Sequence, residues 1–358
     1  MRLTKIKLKE LEKFCESQQF KNFTIKPITP LRVKSYLANP RANQEDIVLY
    51  MLFENENLIG FRTLLSDVCF QGDTPFKFAW FSGNWISPEY RGKKLSTYIL
   101  KECMVDWKEK LMFTNYADVS LNLYSGTQLF SSLRKRTGLR FYLYPDFIDI
   151  YKSRINNSLL KIPLFFLSCI TYCISFTKSI LYKFVNKDIK YTELDMPDND
   201  CWNYLEKYRD TLFNRKRDEL EWIFKYHWVT KEPEENYIYP FSYSDITYTL
   251  KAVKIYKNDT SFSGFFIYSI VNSKMKILFY YLAESDLYLM TDIIPSIALK
   301  NKISCLTILD NKIASIVKKR CKCFAFSKSY SSHIFSSFGD WEENNKITFD
   351  GDGDNCFT

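Results

Sequence analysis

The apolar positions divide the chain into short periodic runs rather than one long pattern. Leu8, Leu11, Phe14 and Cys15 recur at helical spacing, which predicts a leading helix within residues 1–24. Residues 47–53 and 58–65 are strand-like runs on either side of Glu54-Asn55-Glu56-Asn57, the pattern of a hairpin. A further strand over 78–86 stops before Pro88, and a turn on Arg91 and Gly92 follows. Leu95, Ile99, Leu100 and Met104 then share one face of a helix. Residues 118–124 alternate as a strand. Residues 127–136 read as a helix with Leu129, Phe130 and Leu133 inward, closed by Gly138, and 140–144 read as a strand.

The pattern changes at residue 162. Residues 162–177 carry no charge and lie between Lys161 and Lys178, with Lys152, Arg154, Lys183, Lys187 and Lys190 on the flanks. A membrane span needs about 20 apolar residues, so this segment reads first as a buried helix packed between two domains. The alternative is a helix resting on anionic lipid with its lysines turned outward. Beyond it the first half's order returns. A helical stretch over 202–228 precedes strands at 246–256, 263–271 and 274–282, with Asn272-Ser273 as a hairpin turn. A helix over 287–300, a strand over 304–309, a helix over 311–319 and further strand complete the unit. The expected fold is α+β: an α/β mixed sheet in two tandem lobes, with boundaries 1–152, 153–190 for the apolar and basic linking helix, and 191–358.

Composition narrows the class. With 358 residues, 46% hydrophobic and 17% aromatic, the chain can bury a large core and is not a disordered polymer. A net charge of +9 favours anionic partners without choosing among them. Ten cysteines without a Cys-x-x-Cys pair, behind a polar and basic first eighteen residues, read as reduced thiols of a cytoplasmic protein. Cys321-Lys322-Cys323 lacks zinc spacing, and His227 and His333 are the only histidines, so no metal is expected.

The chemistry concentrates in residues 85–96, Trp-Ile-Ser-Pro-Glu-Tyr-Arg-Gly-Lys-Lys-Leu-Ser. A strand that turns into a helix aims unpaired backbone N–H groups at one point, and the helix dipole adds positive charge there. Arg91, Lys93 and Lys94 add formal charge, and Gly92 lets the backbone approach closely. This is an anion site of phosphate or pyrophosphate type.

The same stretch resembles the acetyl-CoA-binding motif of the GNAT N-acyltransferase superfamily, Gln/Arg-x-x-Gly-x-Gly/Ala after a Val-x-Pro-x-Tyr-Arg-Gly lead-in. Ile86, Pro88, Tyr90, Arg91 and Gly92 match the lead-in. Lys94 stands where the family has Gly, and Ser96 where it has Gly or Ala. Residues 133–139 are similar to the family's Leu-Tyr-x-Lys-x-Gly-Phe, with Arg134 in place of the Tyr that often protonates the departing thiolate. The resemblance spans about residues 25–150.

The resemblance implies that Arg91, Gly92, Lys93, Lys94, Leu95 and Ser96 hold the pyrophosphate of acetyl-CoA or another acyl-CoA. It also implies that Trp85, Ile86 and Ser87 pair with the pantetheine arm, and that a backbone N–H near Ile86 polarises the thioester. The matching turn of the second lobe, Ala283-Glu284-Ser285-Asp286, has two acids and no glycine. That lobe is therefore expected to be degenerate and to shape the acceptor groove, as in tandem-lobe members similar to N-myristoyltransferase and FemABX proteins.

Catalytic groups are less legible. Tyr124 is a candidate acid, and Asp67 and Asp73 are candidate bases. Asp350, Asp352 and Asp354 match the first three ligand positions of a calcium loop, but Asn355 stands where such a loop needs Gly. They read instead as carboxylates for an acceptor, with Cys356 and Phe357 anchoring the end. The expected activity is acyl transfer to a small-molecule amine, such as an amino sugar of a surface-polysaccharide precursor. Two alternatives stay open: a GNAT-fold binding protein that has lost its chemistry, and a FemABX-like aminoacyl-tRNA-dependent transferase. A nucleic-acid partner is not expected; peripheral membrane contact through 162–176 is the alternative already named.

Overall fold

The computed structural model describes every residue except 115–123, 125, 152–159, 186–189, 209–210, 234–236, 258–260 and 340–345. It is a mixed α+β structure in which contacts separate two compact units. Unit 1 comprises Met1–Lys135, Tyr208–Ile246 and Ser332–Thr358; unit 2 comprises Arg136–Lys207 and Thr247–Ser331.

In unit 1, β1 (Arg2–Lys7), β2 (Ile47–Glu54), β3 (Asn57–Gln71) and β4 (Thr74–Ile86) form an antiparallel run. Helix α4 (Leu95–Asp106) crosses over to β5 (Leu111–Thr114), which pairs parallel with β4. The last partner comes from far along the chain: β14 (Phe326–Ser336) lies antiparallel to β5 with Ile334 opposite Thr114. The amino-terminal part also holds α1 (Leu8–Glu16), α2 (Gln18–Asn22) and α3 (Pro30–Leu37). The inward face of α4 carries Leu95, Ile99, Leu100, Cys103 and Met104 onto Tyr50, Leu52, Leu64 and Ala79.

Unit 2 repeats this order. Strands β10 (Thr249–Lys257), β11 (Ser261–Val271) and β12 (Lys274–Leu282) are antiparallel. Helix α9 (Leu287–Lys300) crosses over to β13 (Cys305–Ile308), parallel to β12. Its final strand is again borrowed, β6 (Ser131–Tyr142), with Tyr142 opposite Cys305. The unit is completed by α5 (Phe147–Tyr151), α6 (Lys161–Val185), β7 (Tyr191–Leu194), α7 (Asn199–Leu205) and α10 (Asn311–Arg320). Short pieces α8 (Arg217–Lys225), β8 (Val229–Thr230) and β9 (Tyr243–Ser244) belong to unit 1.

The repeated order is as expected, but the units do not follow the linear boundaries at 152 and 190. Each half of the chain lends the other its closing strand, and residues 208–246 return to unit 1. The expected helix over 127–136 is also absent: 131–142 form β6. Leu129, Phe130 and Leu133 fit a helical period, but burial alternates with period two over Arg136–Leu139. Gly138 is not a helix cap. A Cβ there would lie 1.9 Å from the Ile308 carbonyl oxygen, so the residue permits close approach of two strands. The strand expected at 118–124 falls outside the described residues except for Tyr124. The helical stretch expected over 202–228 is two short helices, α7 and α8.

Candidate functional site

Strand β4 contains an irregularity that shapes the site. Thr63 pairs with Gly83 but Leu64 pairs with Phe81, so Ser82 is an extra residue, a β-bulge. Before the bulge β4 also pairs with β5, at Ala79 and Trp80. After it, Gly83, Asn84, Trp85 and Ile86 pair with β3, and no β5 partner is described for them. Among the described residues this half of β4 has no neighbour on that side, the position at which an extended chain could be added.

This half of β4 leads into the basic turn at Arg91–Lys94. Pro88–Tyr90 form one 3-10 turn, Gly92 has φ +79°, and α4 begins at Leu95. Lys94, the N-cap residue, is left-handed (φ 59°, ψ 18°), and its side chain makes no cap bond. That conformation suits glycine, which accounts physically for the position where this chain departs from the GNAT motif; Lys94 carries of order 1 kcal/mol of backbone strain. No acid lies in the first turn of α4, so its leading N–H groups and dipole face no competing carboxylate there. Arg91, Gly92, Lys93 and Lys94 are all exposed. Arg91 Nε is 3.3 Å from the Ile86 carbonyl oxygen, and Lys93 lies over the Tyr90 ring at 4.5 Å.

Beneath this turn sits a residue that pattern reading missed. Arg62 of β3 is 0% exposed. Its Nη2 donates to Ser96 Oγ at 3.1 Å and its Nη1 to the Tyr124 hydroxyl at 3.2 Å, while the guanidinium lies over Phe81 at 4.5 Å. Asn84, opposite Arg62 in the ladder, donates to Ser96 Oγ at 2.9 Å. Ser96 therefore turns its hydroxyl inward, and no carboxylate pairs with Arg62 among the described residues. A buried cation under the first turn of α4 deepens the positive potential at the basic turn Arg91–Lys94. Its only sequence signal was a lone arginine inside an apolar strand.

The opposite face of β3 and β4 carries a second feature. Thr63 and Gly83 face Tyr239 and Phe241, whose rings pack on Phe61 at 6.3 Å. Arg32 of α3 donates to Ser82 Oγ at 3.0 Å, and its guanidinium lies 3.8 Å from the Trp228 ring centre and 5.1 Å from that of Tyr239. A pocket is lined by Thr29, Arg32, Trp228, Tyr239, Phe241 and Tyr243. The hydroxyls of Tyr36, Thr63 and Tyr239 are buried beside it, with Thr63 within reach of both phenols. Burial pushes both phenols above their ordinary values, so both stay protonated.

The remaining expected residues are placed as follows. Tyr124 is buried among Phe81, Phe113 and Phe130. Burial raises its phenol, against the opposing pull of Arg62. Trp85 stacks on Phe61 at 5.5 Å, and Ser87 N donates to the Ile59 carbonyl at 2.9 Å. Arg134 donates to the Lys346 carbonyl from within β6, so it does not occupy a helix position equivalent to the family's Tyr. Asp67 is enclosed. It accepts from Arg41 Nη1 (2.9 Å), Arg215 Nη2 (2.8 Å), Trp80 Nε1 (2.7 Å) and its neighbour Val68 N (2.8 Å). Burial raises this carboxyl, yet Arg215, Arg41 and the Trp80 bond outweigh burial and hold it below the usual range. A carboxylate so enclosed has no path to a reacting amine.

The tail is folded in, not a free acidic end. Asp352 accepts from Phe349 N at 2.6 Å and lies 3.6 Å from Arg215 Nε; Asp350 Oδ1 accepts from Asn355 at 3.1 Å. Phe357 stacks on Trp228 at 4.6 Å. Asp354 differs: it accepts from Ser82 Oγ at 2.9 Å, at the bulge itself.

The matching turn of unit 2 carries no anion site. Glu284 pairs with Lys312, and Asp286 with Lys257 at 3.1 Å, ahead of α9.

No protein-family model and no curated protein sequence matches the chain. Solved structures do. N-myristoyltransferase of Saccharomyces cerevisiae with bound myristoyl-CoA aligns over 97% of this chain and 86% of its own, with a TM-score of 0.51 at 10% identity. The chain has the GNAT fold. A probable N-acyltransferase from Enterococcus faecalis aligns over 93% of this chain and 72% of its own (TM-score 0.48, 11% identity). A putative acetyltransferase from Pyrococcus horikoshii aligns over 100% and 95% (TM-score 0.46, 12% identity). At such identities the likeness concerns fold alone. Within the GNAT fold the bulge, the open β4 edge and the α4 turn fall together in unit 1.

Proposed function

We propose that the protein is an acyl-CoA-dependent N-acyltransferase, with acetyl as the transferred group and unit 1 as its cofactor-binding unit. The observation that carries this reading is the continuity of the open edge at Gly83–Ile86 with the uncapped start of α4. An extended pantetheine arm fits the edge as an added strand, and a pyrophosphate fits the N–H groups of Leu95 and Ser96 with Arg91, Lys93 and Lys94 around it. Arg91 must then release the Ile86 carbonyl, which its exposed position allows.

In this reading the acceptor amine attacks the thioester carbonyl carbon, the C–S bond breaks and CoA leaves as its thiol. The backbone near Ile86 polarises the carbonyl oxygen. Tyr124 is the candidate proton donor to the leaving sulfur only if the bound thioester reaches its hydroxyl, now buried and bonded to Arg62; the proton the amine gives up then restores it, and orientation of the amine supplies much of the rate. The acceptor approaches on the aromatic face of β4, where the pocket walls must move apart to admit a sugar. Aromatic walls and the Arg32–Ser82–Asp354 chain suit a hydroxylated amine such as an amino sugar, with Asp354 receiving the amino group. An aminoacyl-tRNA-dependent transfer has no use for the α4 turn, so the GNAT chemistry is preferred.

Calorimetric titration with CoA and acetyl-CoA, followed by a thiol-release screen against amino sugars, tests the reading. One binding site and thiol release are expected. Arg91→Glu reverses charge where charge-assisted bonds are worth about 1.5–3 kcal/mol each, so it should weaken CoA at least about tenfold. Unchanged affinity in that variant would remove the assignment. CoA binding without turnover on any amine would favour the binding-protein alternative.

A further inference from the structure

The apolar helix α6 is built inside out. Its protein-facing stripe is Leu164, Ser168, Thr171, Ser175, Ser179 and Tyr182, which is mostly polar. Ser168 Oγ accepts from Phe147 N at 3.0 Å, Ser179 Oγ is 3.1 Å from the Tyr144 hydroxyl, and Tyr182 donates to the Asp292 carbonyl at 3.2 Å. The outward face holds the large apolar side chains. Phe165, Phe166, Ile170, Ile174, Phe176 and Leu181 are each between 47% and 61% exposed. A soluble helix has the reverse arrangement. The helix expected to be buried between domains is thus docked on unit 2 by hydroxyls and presents its apolar side away from it. Only 11% of the apolar window at Lys161–Tyr182 is buried.

We propose that α6 is a monotopic membrane anchor, its outward face immersed in the interfacial region of an anionic lipid bilayer and its polar stripe kept on unit 2. Three observations select lipid. The apolar length of 22 residues spans about 33 Å, giving a long continuous contact. Residues 150–187 contain six lysines and arginines and no acid, which complements anionic headgroups and opposes pairing with a second copy of the same surface. The bonds from Ser168 to Tyr182 hold the helix lengthwise on the protein, which fits a helix lying in the surface rather than one leaving it to cross. The acyl-transfer reading neither requires this anchor nor depends on it.

The test uses the unmodified full chain, because Cys169 and Cys173, both on α6, are the two exposed cysteines of ten. Maleimide labelling of these thiols is followed in buffer, with phosphatidylcholine vesicles, and with vesicles containing phosphatidylserine. Phosphatidylserine vesicles should slow labelling at least about tenfold and carry the protein in flotation, with partial loss at high salt. Phe166→Asp with Ile170→Asp, both at exposed positions, should reduce flotation at least about tenfold while the near-UV circular dichroism is unchanged. Labelling indifferent to vesicles would overturn the proposal. So would flotation unaffected by the double variant, or thiols shielded in buffer by a dimer that the variant dissolves. If the double variant does not fold, the labelling of the native chain decides alone.

Discussion

Replacing Asp67 by Asn separates a structural reading of this carboxylate from a catalytic one. Asp67 is 3% exposed and lies between Arg41 and Arg215, which are 9% and 5% exposed. Asn keeps the shape but turns one acceptor oxygen into a donor, placed against guanidinium N–H groups or the Trp80 indole. Arg41 retains Glu219 at 2.8 Å, and Arg215 retains only the longer contact to Asp352 at 3.6 Å. Removing one member of a buried charge pair costs about 3–5 kcal/mol. Unit 1 has about 200 residues, for which each kcal/mol moves the midpoint by about 2–4 °C, so a fall of roughly 6–20 °C is expected.

Differential scanning calorimetry measures this shift, and CoA titration well below the new midpoint should give the wild-type affinity. The pH dependence follows from the same cluster. Asp67 and Glu219 are both held below their ordinary values; burial opposes this in each, and the paired arginines prevail. In the acid range the unfolded chain binds more protons than the folded one, so stability rises with pH there. The contribution is complete above the unfolded carboxylate values of about 3.9 and 4.3 and is lost as pH falls through the folded ones. Asp67→Asn should flatten that acid limb. A control at exposed Glu45, paired with Lys7 and Lys9, should leave the midpoint unchanged. A midpoint shift under about 1 °C in Asp67→Asn, or lost turnover at wild-type stability, would refute the structural reading.

Three further outcomes follow from local geometry. Asp354→Asn, at the bulge beside Ser82, should raise the acceptor KM with CoA affinity intact; an unchanged KM would detach the tail from the acceptor. Gly138→Ala forces β6 away from the Ile308 carbonyl and should cost about 1–3 kcal/mol, read as a lower denaturation midpoint; wild-type stability would show that the strands can separate freely. Phe357→Ala removes a fully buried ring stacked on Trp228 and should cost about 3–5 kcal/mol by chemical denaturation, whereas a dispensable tail would lose almost nothing.

Local pattern settled what depends on near neighbours. The hairpin at 54–57, the strand ending before Pro88, the helix face of Leu95, Ile99, Leu100 and Met104, and the exposed basic turn at Arg91–Lys94 all follow from periodicity and turn chemistry. The repeat in the second half was legible for the same reason, since each lobe's order is a string of local signals. Acid in place of glycine at Glu284–Asp286 could be read directly as charge.

Tertiary structure decided the rest. Leu139–Tyr142 at the end of β6 pair with β13, a long-range partner that a helical period in three side chains cannot foresee. Asp67, Asp352 and Asp354 acquired partners more than a hundred residues away, and only folding brings Arg215 to the first two and Ser82 to Asp354. Arg62 is placed by strand alternation beneath α4, whereas the surroundings of Arg32 and the aromatic pocket need a segment returning from residues 208–246. The apolar run at 162–177 was visible as composition, but which side it buries was not. Hydropathy counts apolar side chains, whereas their direction depends on which hydroxyls find partners on unit 2.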